Sequence, residues 1–257
     1  MLDSLSIAAS GMSGQQQVID SISNNIANIN TVSYKKTNVE FSNLVYTPLD
    51  TQSSSILDLG ARKGGGLDVV SLAQNFSLGD MKQTGRTLDV AINGSGFFEL
   101  TSENGDKIYS RNGNFKLNSE GFLINSSGHF VGDMIKLPSD TVSISIDKAG
   151  EISVSVNGES EWSQIGKMEL AYFTNPSGLE ALGAGNYRHT DQSGDPQYLA
   201  LNGEETTVSQ GYLEMSNVSM IEELTSMMLA QQAYGLNSRV IQVSDEIMGM
   251  INNLTQG

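Results

Sequence analysis

The sequence predicts an α+β protein in which N- and C-terminal coiled-coil-like helices flank an extended arm and a mostly antiparallel β domain. Three observations carry this expectation. Apolar residues near both ends recur at alternating spacings of three and four. The middle of the chain instead alternates apolar and polar residues in short runs between glycine-containing turns. Between the first helix and that region lies a stretch with serine and glycine clusters and no dominant period. The resulting segments are an N-terminal helix (1–30), an arm (31–87), a β-rich domain (88–212) and a C-terminal helix (213–257).

In the first segment Leu5, Ala8, Met12, Gln15, Ile19, Ile22, Ile26 and Ile29 form a heptad seam. Gly11 and Gly14 lower local helix propensity by roughly 1 kcal/mol each, so packing must hold this helix. The stretch SNNIANINTVSYKK, residues 23–36, crowds Asn24, Asn25, Asn28 and Asn30 between the isoleucines. An asparagine amide competes for nearby backbone groups and makes a mediocre helix former. On the residues alone, a helix end fraying into turns and a row of amides that sets register with a partner are equally good readings.

In the arm, TVSYKKTNVEFSNLVYTP reads as extended and TQSSSILDLGARKGGG as irregular, with short strands expected near GLDVVSLAQNFSL. A loop of this length is usually functional or ordered by a partner. The Gly64–Gly66 run reads as a turn. It is not a phosphate loop, because the Lys-Ser/Thr ending and a preceding strand are missing.

The β domain opens with LDVAINGSGFFEL, where Asn93-Gly94 between two apolar runs predicts a hairpin. YSRNGNFKLNSEGFLINSSGHFVG continues with short strands separated by Asn-Gly, Glu-Gly and Ser-Gly turns. In VSISIDKAGEISVSV, Val142, Ile144 and Ile146 alternate with serines, as do Ile152, Val154 and Val156. That pattern predicts one buried face and one face of serines turned to water. His129 and His189, the two histidines, sit in turn-rich settings and read as exposed.

The last segment begins with SNVSMIEEL, which offers Ser216 or Asn217 as an N-cap and places Glu222 and Glu223 where the helix dipole favours acids. Leu229, Ala233, Leu236, Val240, Val243, Ile247, Met250 and Leu254 then form a second heptad seam. A separate stripe, Met220, Leu224, Met227, Tyr234, Ile241 and Met248, lies elsewhere on the cylinder. A helix with two apolar faces touches more than one partner, and this leftover surface argues for self-assembly. Isolated helices of this kind are marginal, so the termini are expected to order only inside a polymer.

Composition narrows the function classes. With 14 basic against 29 acidic residues and a net charge of −15, non-specific nucleic-acid binding and attraction to anionic membranes are both disfavoured. There is no cysteine, which removes disulfides, thiolate metal sites and cysteine nucleophiles together. No apolar run approaches a membrane span, and the N-terminus lacks the basic and apolar regions of a cleaved signal peptide. No metal-ligand spacing, nucleophile elbow or cofactor motif is present, so the reading is non-enzymatic, with no cofactor.

Four motifs carry a family resemblance. SNNIANINTVSYKK resembles the N-terminal signature of the flagellar rod and hook axial proteins, in which Ala-Asn-Asn-(Ile/Leu)-Ala-Asn precedes Asn-Thr-x-Gly-(Phe/Tyr)-Lys. LDVAINGSGFFEL and YSRNGNFKLNSEGFL are similar to that family's β-domain motifs. GYLEMSNVSMIEELTSMMLAQQAYGLNSRVIQVSDEIM resembles its C-terminal helix signature. Two positions depart from the pattern: Ser33 stands where the family commonly has glycine, and Gln232 where it commonly has arginine. The length suits rod components and not the longer hook subunits; the arm suits the distal rod, with the proximal rod and, from another class, a secreted β-rich adhesin or carbohydrate-binding module as alternatives.

The resemblance implies a helical homopolymer within the basal body, spanning the periplasm. Neighbouring rod proteins, the hook protein, the surrounding rings and the flagellar type III export apparatus are the implied partners. It implies export without a cleaved signal and no membrane insertion. On this reading Leu5, Met12, Ile19, Ile22, Ile26, Ile29, Leu229, Ala233, Tyr234, Leu236, Val240, Val243, Ile247 and Leu254 are expected subunit contacts. Asn24, Asn25 and Asn28 are expected to fix register between copies.

Overall fold

A computed structural model describes residues 2–43, 47–48, 62–63, 66–156, 161–198 and 206–255. The chain divides into two units. One combines residues 1–27, 37–74 and 219–257; the other combines residues 28–36 and 75–218. This differs from a simple run of four consecutive segments, because residues 28–36 and 75–87 group with the β-rich part, and of the arm only 37–74 groups with the helices.

In the helical unit, α1 spans Leu2–Ala27 and α2 spans Met220–Thr255. Asn25 meets Glu223 while Gly11 meets Asn237, so the two helices run antiparallel. The glycines that weaken α1 as a helix are what let it pack. A Cβ on Gly11 would lie 2.8 Å from the Asn237 amide, and one on Gly14 would lie 2.6 Å from Leu67. The N-cap of α2 is Ser219, whose carbonyl accepts from the Glu223 N–H. Neither Ser216 nor Asn217 takes that place: the Ser216 hydroxyl accepts from Val218, and the Asn217 amide is engaged with Asn75 and Ser77.

The arm is more regular than its sequence suggests. Strand Thr37–Asn43 pairs antiparallel with strand Leu67–Gln74, with a bulge at Glu40/Phe41. A second short pairing joins Thr47–Pro48 to Arg62–Lys63. Residues 49–61, the centre of the irregular stretch, lie outside the described residues, as do Gly64 and Gly65. Phe41 and Leu67 turn toward α1 at Gly14. Gly66 takes φ +101° and lies against Ser10, where a Cβ would come within 2.5 Å of the hydroxyl.

In the β unit every described strand pairing is antiparallel. Strand Phe97–Thr101 is its centre. It pairs with Lys107–Ser110 along one edge, and with both Leu170–Tyr172 and Phe130–Val131 along the other. A three-stranded sheet of Thr141–Ile146, Glu151–Val156 and Ser163–Lys167 packs its buried face, Ile146, Ile152 and Val154, into the same core as Val90, Ile92, Phe98, Leu100, Phe115 and Leu170. A second cluster stacks Phe97, Tyr109, Phe173 and Tyr187 edge to face, the arrangement that aromatic quadrupoles favour.

Three local expectations change. Asn93-Gly94 does not close a hairpin between neighbours: Val90–Asn93 pairs with Thr207–Gln210, and the following strand joins the large sheet. Gly94 and Gly96 both take positive φ, and this double kink carries the chain from one sheet to another. Val142 faces solvent because the strand is irregular between Thr141 and Ser143, which shifts its alternation. His189 is exposed as expected, whereas His129 is half-buried.

Candidate functional site

The surface that distinguishes this molecule is one face of α2. Leu229, Leu236, Val240, Val243, Ile247 and Met250 follow the heptad spacing of the predicted seam, and each is between 37% and 62% exposed. Ala233 in the same seam is half-buried. The helix buries a different face against its own chain. Glu223, Ala230 and Ser244 are buried, with Met227, Asn237, Ile241 and Met248 beside them on the same side. At ~100° per residue the open seam lies roughly a third of a turn from that face. Near the start of α2, Ile221, Leu224 and Met228 add a further exposed apolar cluster. Tyr234 borders the inner face and is partly exposed. The side chain of Leu254 lies outside the described residues.

The N-terminal seam is placed otherwise. Ile22 and Ala8 are buried, and Leu5, Met12, Ile19 and Ile26 are half-buried. This face meets α2 and the arm of the same chain, and Ile22 is covered there by its own chain. Ile29, just past α1, is half-buried.

Asn25 is also engaged within its own chain. It is 1% exposed, its Oδ1 accepts from the Thr37 N–H at 3.0 Å, and its Nδ2 donates to the Thr37 carbonyl at 3.0 Å and to Glu223 Oε2 at 3.2 Å. An asparagine late in α1 thus pins the start of the arm strand and the first turn of α2 at once. Such a buried amide is stabilising because all its polar groups are satisfied. Asn24 is exposed and Asn28 half-buried.

The SYKK end of the same motif builds a charge cluster in the β unit that no sequence spacing announced. Lys35, Arg111 and Glu214 are all buried. Lys35 Nζ lies 2.6 Å from Glu214 Oε1 and donates to the Ser77 carbonyl at 2.7 Å. Arg111 Nη1 lies 3.4 Å from Glu214 Oε2, and its guanidinium stacks over Phe97. The Gly79 N–H donates to Glu214 Oε1 at 2.9 Å. Burial pulls the Lys35 ammonium below the ordinary lysine range; Glu214 opposes that pull and Arg111 adds to it. The one available signal was a pair of lysines after a tyrosine at the end of an otherwise uncharged motif, with an arginine inside the strand-like YSRNGNF.

Ser33, the residue in the family's glycine position, takes φ 57°. Its N–H donates to the Glu214 carbonyl and its hydroxyl to the Arg111 carbonyl, both at 2.8 Å. A left-handed backbone costs a side-chain-bearing residue roughly 1–2 kcal/mol, and a buried hydrogen bond returns about 1 kcal/mol of that. Gln232 is exposed on α2. Among the described residues no group of three or more His, Cys, Asp or Glu is placed to hold a metal, and no helix is long and apolar enough to cross a membrane.

Comparisons with known proteins agree with this architecture segment by segment. Residues 5–35 match the flagella basal body rod protein family, residues 91–154 the flagellar hook protein FlgE/F/G D1 domain, and residues 209–254 the flagellar basal body rod FlgEFG protein C-terminal region. The flagellar basal-body rod protein FlgG of Borreliella burgdorferi is 37% identical over 265 residues, covering 99% of both chains. That of Bacillus subtilis is 36% identical, again over 99% of both chains, and that of Caulobacter vibrioides is 36% identical over 98% of this chain and 99% of its own. The chain belongs to the flagellar basal-body rod protein family.

Proposed function

We propose that this protein is a structural subunit of the distal flagellar rod, and that copies assemble through the open seam of α2 into a helical tube that transmits torque to the hook. The observation that carries the reading is the seam itself: six large apolar side chains at heptad spacing, left uncovered by a chain that buries its other helical seam. Exposure of such a stripe is costly in water, at ~25 cal/mol per Å² of apolar surface left uncovered. Covering it with sister helices removes that cost. Full-length similarity to FlgG proteins supports the distal position. The same relatives lend no support to a proximal position, or to an adhesin or carbohydrate-binding module, and they are structural rod proteins, not enzymes.

The neighbours on this reading are other rod proteins, the hook protein and the basal-body rings, and delivery is by the flagellar type III apparatus without a cleaved signal. Electron cryo-microscopy of the assembled protein tests the central claim. Leu236, Val240 and Val243 are expected between copies; a filament in which they face solvent or an empty lumen refutes it.

A further inference from the structure

The chain carries eleven methionines and no cysteine, so thioethers are all the sulfur it offers an oxidant. Exposure sorts them. Among the described residues Met134, Met220, Met228 and Met250 are the exposed ones, at 43%, 49%, 56% and 58%. Three of these four stand on α2, and all three belong to its uncovered apolar surface. Met250 shares the heptad position of Leu236 and Val243, and Ile247 precedes it by one turn. Met220 and Met228 flank Leu224 at four residues on either side, with Ile221 exposed in the same cluster. By contrast Met12, Met227 and Met248 are half-buried on faces turned to their own chain, and Met168 is buried in the β core. Met134, the remaining exposed one, lies in the β unit.

A thioether is apolar and fills a packed surface much as leucine does; its sulfoxide is polar. When the sulfur lone pair attacks a peroxide, an S–O bond forms, the O–O bond breaks and water leaves. The sulfur gives up two electrons and the peroxide takes them. The product carries a strong acceptor oxygen. Around it on this surface stand Ile221, Leu224, Val243 and Ile247, whose side chains have no hydrogen to donate. Covering an acceptor without a donor opposes burial, so a surface that drives assembly becomes one that resists it.

We infer that Met220, Met228 and Met250 form a modification site, at which oxidation to sulfoxides by a peroxide keeps the chain out of the assembly. Reduction by a dithiol-dependent sulfoxide reductase returns it. The inference rests on the reading of this surface as the one that copies cover. It needs no folded helix in the free chain, since an unfolded terminus exposes the same thioethers further. Incorporation shields them, so the sensitivity belongs to the subunit before it is placed.

Treating the full chain with hydrogen peroxide tests this, with oxygen gain at each methionine read by peptide mass mapping and assembly read by ultracentrifugal pelleting. Oxidation at the three α2 positions should raise the concentration needed for assembly about tenfold or more. The near-ultraviolet circular dichroism of the β unit should not change, and a methionine sulfoxide reductase with dithiothreitol should restore pelleting. Met220→Leu, Met228→Leu and Met250→Leu together keep volume and apolarity, so this variant should assemble before and after peroxide alike. Met134→Leu should give no protection. Undiminished assembly of the oxidised chain, or a triple variant as sensitive as wild type, overturns the inference and leaves the rod reading standing. Ready oxidation of the three positions inside preformed assemblies does the same. A reduced wild type that never assembles overturns both.

Discussion

Replacing Glu214 by glutamine should destabilise the β unit about as much as truncating one of its large apolar core residues. The carboxylate accepts from Lys35, Arg111 and the Gly79 N–H, and the side chains of Lys35 and Glu214 are fully buried. The amide keeps the shape but leaves two buried cations without a counter-charge. Breaking a buried pair in this way costs ~3–5 kcal/mol. Against a total of ~5–15 kcal/mol for a domain, this should lower the melting temperature by roughly 10 °C. Urea unfolding followed by the near-ultraviolet circular dichroism of the buried Tyr109 and Tyr187 measures it. The pH dependence supplies a second readout. Because the folded pKa of Lys35 lies below its unfolded value, the unfolded chain binds the proton more tightly. Stability therefore rises with pH from the folded pKa up to the ordinary lysine range. Removing Glu214 deletes the main opposing influence, so this rise should begin at lower pH and grow larger. A loss under about 1 kcal/mol, with an unchanged pH profile, would refute the claim that electrostatics hold this cluster.

Val240→Asp should leave folding within about 0.5 kcal/mol of wild type, because the side chain is half exposed, yet abolish pelleting of assemblies in ultracentrifugation. Ile22→Asp, by contrast, should unpack α1 from α2 within the single chain, at several kcal/mol for an unpaired buried charge, seen as lost hydrogen-exchange protection in α1. Ser33→Gly should be close to neutral in thermal unfolding, relieved backbone strain offsetting a lost hydrogen bond, whereas Ser33→Ala should cost ~1 kcal/mol because the strain stays. The Tyr187 hydroxyl is pushed up to about 12 by burial; unfolding above pH 10 therefore releases a proton, and stability falls with pH by up to ~1.4 kcal/mol per unit. Tyr187→Phe should remove that part of the alkaline slope in denaturant titrations.

Both helices, the β character of the middle and the position of each apolar seam were legible in the sequence, because periodicity reports which residues share a face. What that face meets is another matter. The seams of α1 and α2 read alike, yet one is covered by its own chain and the other is open. The difference lies in Gly11 and Gly14, whose missing side chains let α2 and the arm approach α1. Sequence propensity counts these glycines only as weaknesses. The partners of Asn25 within the chain, Thr37 and Glu223, are 12 and 198 residues away, so no local spacing announces them. The Asn93-Gly94 turn misled for a related reason: turn chemistry reports that the chain bends, not which strand it joins afterwards. Lys35, Arg111 and Glu214 lie in three distant motifs, and no spacing rule connects them.

The Lys35–Glu214 contact spans 179 residues, and this sets a schedule for a polypeptide that emerges amino end first. The central strand at 97–101 cannot fill its second edge before residue 172 has arrived. The buried lysine has no counter-ion until residue 214 follows. A nascent chain held short of that point carries an uncompensated cation where its core should close, and contacts between such distant segments form slowly. Maturation of the β unit is thereby deferred until nearly the whole polypeptide is free.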